Sequence, residues 1–125
     1  MNSEVKAKWI SALRSGKYQP TTRFLKKFLE NGSIGHCCLG VLCEIYLEEH
    51  PEATWKKHGD GCFGFIQIEG AESSAKYLPN DVIEWAGLGE RNWQGRTPDG
   101  KKSLAVLNDD GVAFKDIADI IEKEF

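Results

Sequence analysis

The stretch His36-Cys37-Cys38-Leu39-Gly40-Val41-Leu42-Cys43 limits the fold more than any other part of the chain. It opens a helical pattern in which Leu39, Leu42, Cys43 and Tyr46 share one face, while Glu44, Glu48 and Glu49 fall mostly on the other. The spacing predicts a helix over Cys38–Glu49, with Pro51 marking its exit. A chain of 125 residues builds a single core, so a segment this apolar is expected to be its hub. Gly40 costs about 1 kcal/mol of helix propensity. A glycine there is expected where another segment packs closely against the helix backbone.

The four cysteines also invite a chemical reading, as zinc ligands with His36 or as a nucleophile beside His36 or His58. The pattern argues against both. There is no Cys-x-x-Cys, and Cys37, Cys38 and Cys43 diverge around a helix. Buried thiols acting as small hydrophobes are the expectation, with no metal and no cofactor. The first residues carry charges where a signal peptide needs an apolar run, and no apolar stretch matches a bilayer. A cytoplasmic, non-membrane protein with reduced thiols is therefore expected.

The rest of the chain reads as an α+β fold, four to five helices around a core with a small β-hairpin, in one compact domain over residues 1–125. Val5, Trp9, Ile10 and Leu13 predict a first helix over Ser3–Arg14, with Ser3 as its N-cap. Residues 21–29 carry Phe24, Leu25, Phe28 and Leu29 at helical spacing, and helix is favoured there. The competitor is a strand feeding a hairpin at Asn31-Gly32. Residues 55–69 predict the hairpin and residues 70–75 a loop. A short helix follows, with Pro79 in its first turn and Gly87 as a left-handed cap. Residues 103–107 are helix or strand, closed by an Asn108-Asp109-Asp110-Gly111 turn. Phe114, Ile117, Ala118, Ile121 and Phe125 give the last helix its apolar face. The net charge of −3 is uneven, basic at the start and acidic at the end. Attraction between the two ends within the fold is the preferred explanation, an anion-binding face the other.

Several pieces occur together: Lys8-Trp9-Ile10-Ser11-Ala12-Leu13-Arg14-Ser15-Gly16-Lys17-Tyr18, then Cys37-Cys38-Leu39-Gly40-Val41-Leu42-Cys43-Glu44, Leu78-Pro79, Glu84-Trp85-Ala86-Gly87-Leu88, Leu107-Asn108-Asp109, and Phe114-Lys115-Asp116-Ile117-Ala118-Asp119-Ile120-Ile121-Glu122. In this order they resemble a group of small accessory proteins of tailed phages and prophages that carry the same cysteine motif. The resemblance implies a phage accessory protein acting in the cytoplasm of the bacterial host, and it transfers no catalytic residue. Ala113 departs from the polar cap usual in this pattern.

Residues 90–102 show no periodicity; a solvated loop with Trp93 tucked back onto the core is the preferred reading, and a working surface, if the chain has one, is expected here. Arg91 and Arg96 offer forked donors to phosphate, Lys101 a point charge, Asn92 an amide and Trp93 a stacking face. Tyr18 and Arg23, with Lys26 and Lys27, add a second wall if the N-terminal region folds beside this loop. The expected function is a non-enzymatic binding protein that counteracts a host process, plausibly anti-phage immunity, by sequestering a nucleotide-derived signal, with a homo-oligomer helping to build the site. A protein–protein inhibitor of a host defence protein is the alternative, and a nucleotide-degrading enzyme ranks last because no nucleophile–base pair or phosphate-binding glycine motif is present. The net negative charge argues against a general nucleic-acid binder.

Overall fold

The computed structural model describes residues 1–89 and 94–125. Helix α1 (Ser3–Arg14) buries Val5, Trp9, Ile10 and Leu13. Its N-cap is Asn2 and not Ser3: the Asn2 Oδ1 accepts from the Glu4 and Val5 amides at 2.9 and 3.1 Å. The chain then forms β1 (Gln19–Pro20), β2 (Lys26–Phe28) and β3 (Ile34–His36) in the order β1-β3-β2. Strand β3 is parallel to β1 and antiparallel to β2.

The helix favoured over residues 21–29 is thereby corrected to the hairpin. Gly32 takes a φ of 83°, the Ser33 amide donates to Asn31 Oδ1, and the Leu29 amide donates to the Ser33 carbonyl at 2.8 Å. Of the four apolar residues that suggested a helix, only Leu25 is buried. Non-local strand pairing with β3 outweighs the local helical periodicity.

Helix α2 (Cys38–Glu49) has the expected bounds and central position. It is more enclosed than a two-faced helix, with Cys38 through Cys43, Ile45 and Tyr46 all buried, because α1, α3, α4 and β3 pack around it. Trp9, fully buried, donates its indole N–H to the Cys38 carbonyl at 2.9 Å. The close packing expected at Gly40 is present: the Leu25 backbone crosses directly over it.

Strands β4 (Thr54–Lys57) and β5 (Phe63–Ile66) form the expected hairpin, and β6 (Glu72–Ser73) adds a third antiparallel strand where a loop was expected. An antiparallel bridge between Lys27 and Cys62 ties this sheet to the first. Helix α3 (Asn80–Ala86) begins after Pro79, which is its N-cap and lies outside the first turn, and it ends at Gly87 with the predicted left-handed φ, 71°. Residues 103–107 resolve to helix, as α4 (Leu104–Asp109) with Ser103 as cap. Helix α5 (Phe114–Glu124) lays Phe114, Ile117, Ala118 and Ile121 into the core and packs mainly on α1. Ala113 gives it no side-chain cap. Arg14 reaches Asp119 at 2.7 Å and Glu122 at 3.2 Å, so basic α1 and acidic α5 attract each other across the fold. The described residues thus form an α+β fold of five helices and two three-stranded sheets. No helix among them is long and apolar enough to cross a membrane.

Candidate functional site

A cleft of about 220 Å³ opens over the start of α2. Its floor is Cys37, Leu39 and Ala105, and its walls carry Arg23, Lys76, Tyr77, Gln94 and Asp109. Asn108 and Asp109, at the end of α4, hold this arrangement together. The buried Asn108 side chain accepts from the Cys38 amide at 3.0 Å and donates to the Thr21 carbonyl at 2.8 Å. Asp109 Oδ1 accepts from the Arg23 amide at 2.7 Å. The opposite wall is pinned where the Leu25 amide meets the Ala75 carbonyl and where Gln94 Oε1 accepts from the Leu78 amide at 2.8 Å.

Asn108→Ala leaves a helix-end N–H and a carbonyl buried without partners. Each such loss costs about 1–3 kcal/mol, and a destabilisation of about 2–4 kcal/mol is the expected result of a urea titration.

Two backbone positions distinguish this cleft. Among the described residues, Arg23 and Gln94 are the non-glycine residues with positive φ, at 71° and 59°, and both line it. Such conformations cost of order 1–3 kcal/mol each and gather at ligand sites. The Arg23 guanidinium and the Lys76 ammonium have no carboxylate partner among the described residues. Asp109 brings one carboxylate oxygen not used by Arg23, and the Gln94 amide nitrogen remains a donor.

The cysteines do not supply a nucleophile here. All four are free and buried, and burial pushes the Cys37 thiol up to about 11. Burial also raises Cys38 and Cys43 well above the ordinary thiol value. The start of α2 offers no anion site either, because Cys37 Sγ accepts from the Gly40 amide and Asn108 takes that of Cys38.

The sequence-predicted residues separate. Arg23 is in the cleft. Tyr18 is not: it packs edge-on against His36, beside a shallow depression lined by Lys8, Lys17 and Glu48. Lys26 is unavailable as a wall, being held at 3.2 Å by Glu44. Arg96 and Lys101 belong to a self-closed turn in which Arg96 bridges Ser103, the Arg96 guanidinium donates to the Gly100 carbonyl, and Asp99 accepts from both Thr97 and the Lys101 amide. Arg91, Asn92 and Trp93 lie outside the described residues. Lys76, Tyr77, Gln94 and Asp109 were missed. Positions 76 and 77 follow a two-residue strand with no periodic signal, and Asp109 was already accounted for by its turn.

Two sequence segments meet at the cleft: the cysteine-rich start of α2 forms its floor, and Asn108-Asp109 fastens its rim. No curated protein and no solved structure matches the chain. A family model described as a domain of unknown function, DUF8296, matches residues 1–125, and the chain belongs to that family.

Proposed function

We propose that the protein is a non-enzymatic binding protein that captures a nucleotide-type anion in the Arg23–Lys76 cleft. The observation that carries this reading is the placement of both strained non-glycine residues on one cleft beside two cations without carboxylate partners. Strain is retained where the conformation serves something other than stability. The donor set suits a nucleotide: Arg23 and Lys76 for phosphate, Asp109 for a sugar hydroxyl, and the ring of Tyr77, 53% exposed, for a base. Burial keeps the Cys37 thiol at the cleft floor protonated, which favours capture over thiol-mediated conversion of the ligand. In the phage setting that the sequence resemblance implies, such capture would remove a nucleotide-derived host signal.

The test is calorimetry with nucleoside monophosphates and diphosphates against nucleosides and inorganic phosphate. Arg23→Gly relieves the positive φ while deleting the guanidinium. It is expected to raise the melting temperature by a few degrees and to weaken nucleotide binding by about 10–100-fold. Ligand recovered after incubation should be chemically intact. Wild-type affinity in Arg23→Gly/Lys76→Ala would sink the proposal.

A second reading, inhibition of a host protein, rests on the cross-strand neighbours Phe28 and Ile34, each 38% exposed. A partner held at that pair would be lost on Phe28→Ser/Ile34→Ser while nucleotide binding in the cleft persisted.

A further inference from the structure

A second group of side chains gathers at the C-terminal end of α2, and none of them lines the Arg23–Lys76 cleft. The His50 imidazole stacks on the Tyr46 ring, with centroids 4.1 Å apart and planes 11° from parallel. Trp85 of α3 meets both edge-on, 5.2 Å from Tyr46 and 6.0 Å from His50. Tyr46 as a whole is only 2% exposed. Its carbonyl is bonded to His50, but no hydrogen bond among the described residues uses its hydroxyl. Among those residues His36 Nδ1 is the fully buried side-chain nitrogen or oxygen left without a partner, so the Tyr46 hydroxyl must reach the surface. An unpartnered hydroxyl on an enclosed ring faces a position where a ligand group can bond it.

That position is surrounded by negative charge. Burial pushes the Tyr46 hydroxyl above its ordinary value, and Asp81, Glu52 and Glu69 push it the same way. The three carboxylates come from the first turn of α3, the turn after α2 and the turn after β5. None of them forms an ion pair among the described residues. Like charges brought together by the fold repel, and a cation laid among them relieves that repulsion. A metal ion does not fit, because no three His, Cys, Asp or Glu among the described residues stand close enough to hold one. The spacing suits a larger, flat organic cation. A guanidinium spreads its donors over several acceptors and stacks on an indole. Trp85 is half-buried and lies one turn from Asp81 on α3, so its ring and that carboxylate share a face. The Ile68 amide donates to Asp81 at 3.4 Å, and the Ile68 side chain, 48% exposed, adds an apolar contact beside the charge.

We propose that this acidic, tryptophan-edged patch binds an arginine-rich segment of another protein, with one guanidinium stacked on Trp85 and bonded to the Tyr46 hydroxyl and to Asp81. The inference is independent of the nucleotide reading of the cleft. A free polyamine would meet the carboxylates but has no flat group to stack on Trp85. A second copy of the chain would have to bring its basic α1, where Arg14 is already held by Asp119 and Glu122, and Lys8 by Glu49.

The experiment is fluorescence anisotropy with full-length protein and labelled octa-arginine, octalysine and octaglutamate, with spermine as competitor. Octa-arginine should bind and octaglutamate should not. Octalysine should bind about fivefold more weakly than octa-arginine, because an ammonium stacks less well on an indole. Glu52→Gln/Glu69→Gln/Asp81→Asn keeps the side-chain shapes and should weaken octa-arginine binding by at least about tenfold. Glu30→Gln/Asp110→Asn/Glu124→Gln removes the same charge elsewhere and should change affinity by no more than about twofold. Trp85→Leu should erase the preference for arginine over lysine, and Trp85→Phe should keep part of it. Equal losses in the two triple variants would reduce the effect to net charge and overturn the patch. Spermine that binds as tightly as octa-arginine overturns the choice of a protein segment. Self-association of the parent that disappears in the first triple variant would give the patch to a second copy and overturn it likewise. Absence of octa-arginine binding overturns the inference outright and leaves the nucleotide reading of the cleft untouched.

Discussion

Gly40→Ala is expected to cost at least about 4 kcal/mol and to leave little folded protein, although the same change stabilises an ordinary helix interior by about 1 kcal/mol. A Cβ built at position 40 lies 1.8 Å from the Leu25 carbonyl oxygen and 2.6 Å from its carbon. The obstacle is backbone, so no rotamer change clears it. Leu25 cannot retreat freely, because its carbonyl accepts from the Cys37 amide and its own amide is bonded to the Ala75 carbonyl. Its side chain is fully buried. Overpacking against a flexible side chain commonly costs about 1–3 kcal/mol. Here the whole crossing of residues 23–25 over α2 must move, taking one wall of the cleft with it. A small domain has about 5–15 kcal/mol in total, so most of it would be spent. Gly59 is the control: it meets nothing within 4 Å, and alanine there should change stability by no more than about 0.5 kcal/mol. Urea titrations of both variants decide the matter, and a Gly40→Ala protein as stable as the parent would show that Leu25 does not cross so closely.

That contact also marks how far the sequence could be read. A glycine inside an apolar helix announces a close neighbour, but nothing local names Leu25 as that neighbour. Helices α1, α2 and α5 and the Gly87 cap were legible because each is specified by residues within a few turns of one another. Residues 21–29 misled because their state depends on β3 and on Gly61, which accepts from the Phe28 amide at 2.9 Å. The Asn108 bridge was invisible for the same reason. In sequence it completes an Asn-Asp-Asp-Gly turn, whereas in the fold its partners are 70 and 87 residues away. The candidate site suffered most. Its two cations come from separate segments with no shared spacing, and the strain at Arg23 is a backbone property that no residue type announces. Tyr18 drew notice as an aromatic beside basic residues, yet its ring is spent on His36.

Glu44→Ala is expected to destabilise the protein by about 3–5 kcal/mol at neutral pH, the range for breaking a buried ion pair by removing one partner. Glu44 belongs to the cysteine motif but does something its helical position alone would not suggest. Its carboxylate accepts from His36 Nε2 at 2.7 Å and from the Trp55 indole N–H at 2.9 Å, and it pairs with Lys26 at 3.2 Å. The side chains of His36 and Lys26 are only 7% and 15% exposed, so water screens these contacts weakly. One acid therefore joins α2 to both sheets. His36 Nδ1 is buried with no partner among the described residues, so the ring depends on Glu44 for its one hydrogen bond. Burial pushes the carboxyl up, but the His36 and Trp55 hydrogen bonds and the Lys26 charge outweigh it and bring Glu44 down to about 2 from an ordinary 4.5. A depressed folded-state value means that the stabilisation is complete above about pH 4.5 and is lost as pH falls through about 2. Over that window the parent should lose about 2–3 kcal/mol through this group. Glu44→Gln keeps a hydrogen-bonding side chain but has no proton to gain, so its stability should begin lower and lack that acid slope. Parallel acid-dependent melts of the parent and Glu44→Gln, followed by intrinsic tryptophan fluorescence, measure the difference. Identical slopes from pH 4.5 to 2 would mean that some other carboxylate governs acid unfolding and that Glu44 is not the joint between helix and sheets.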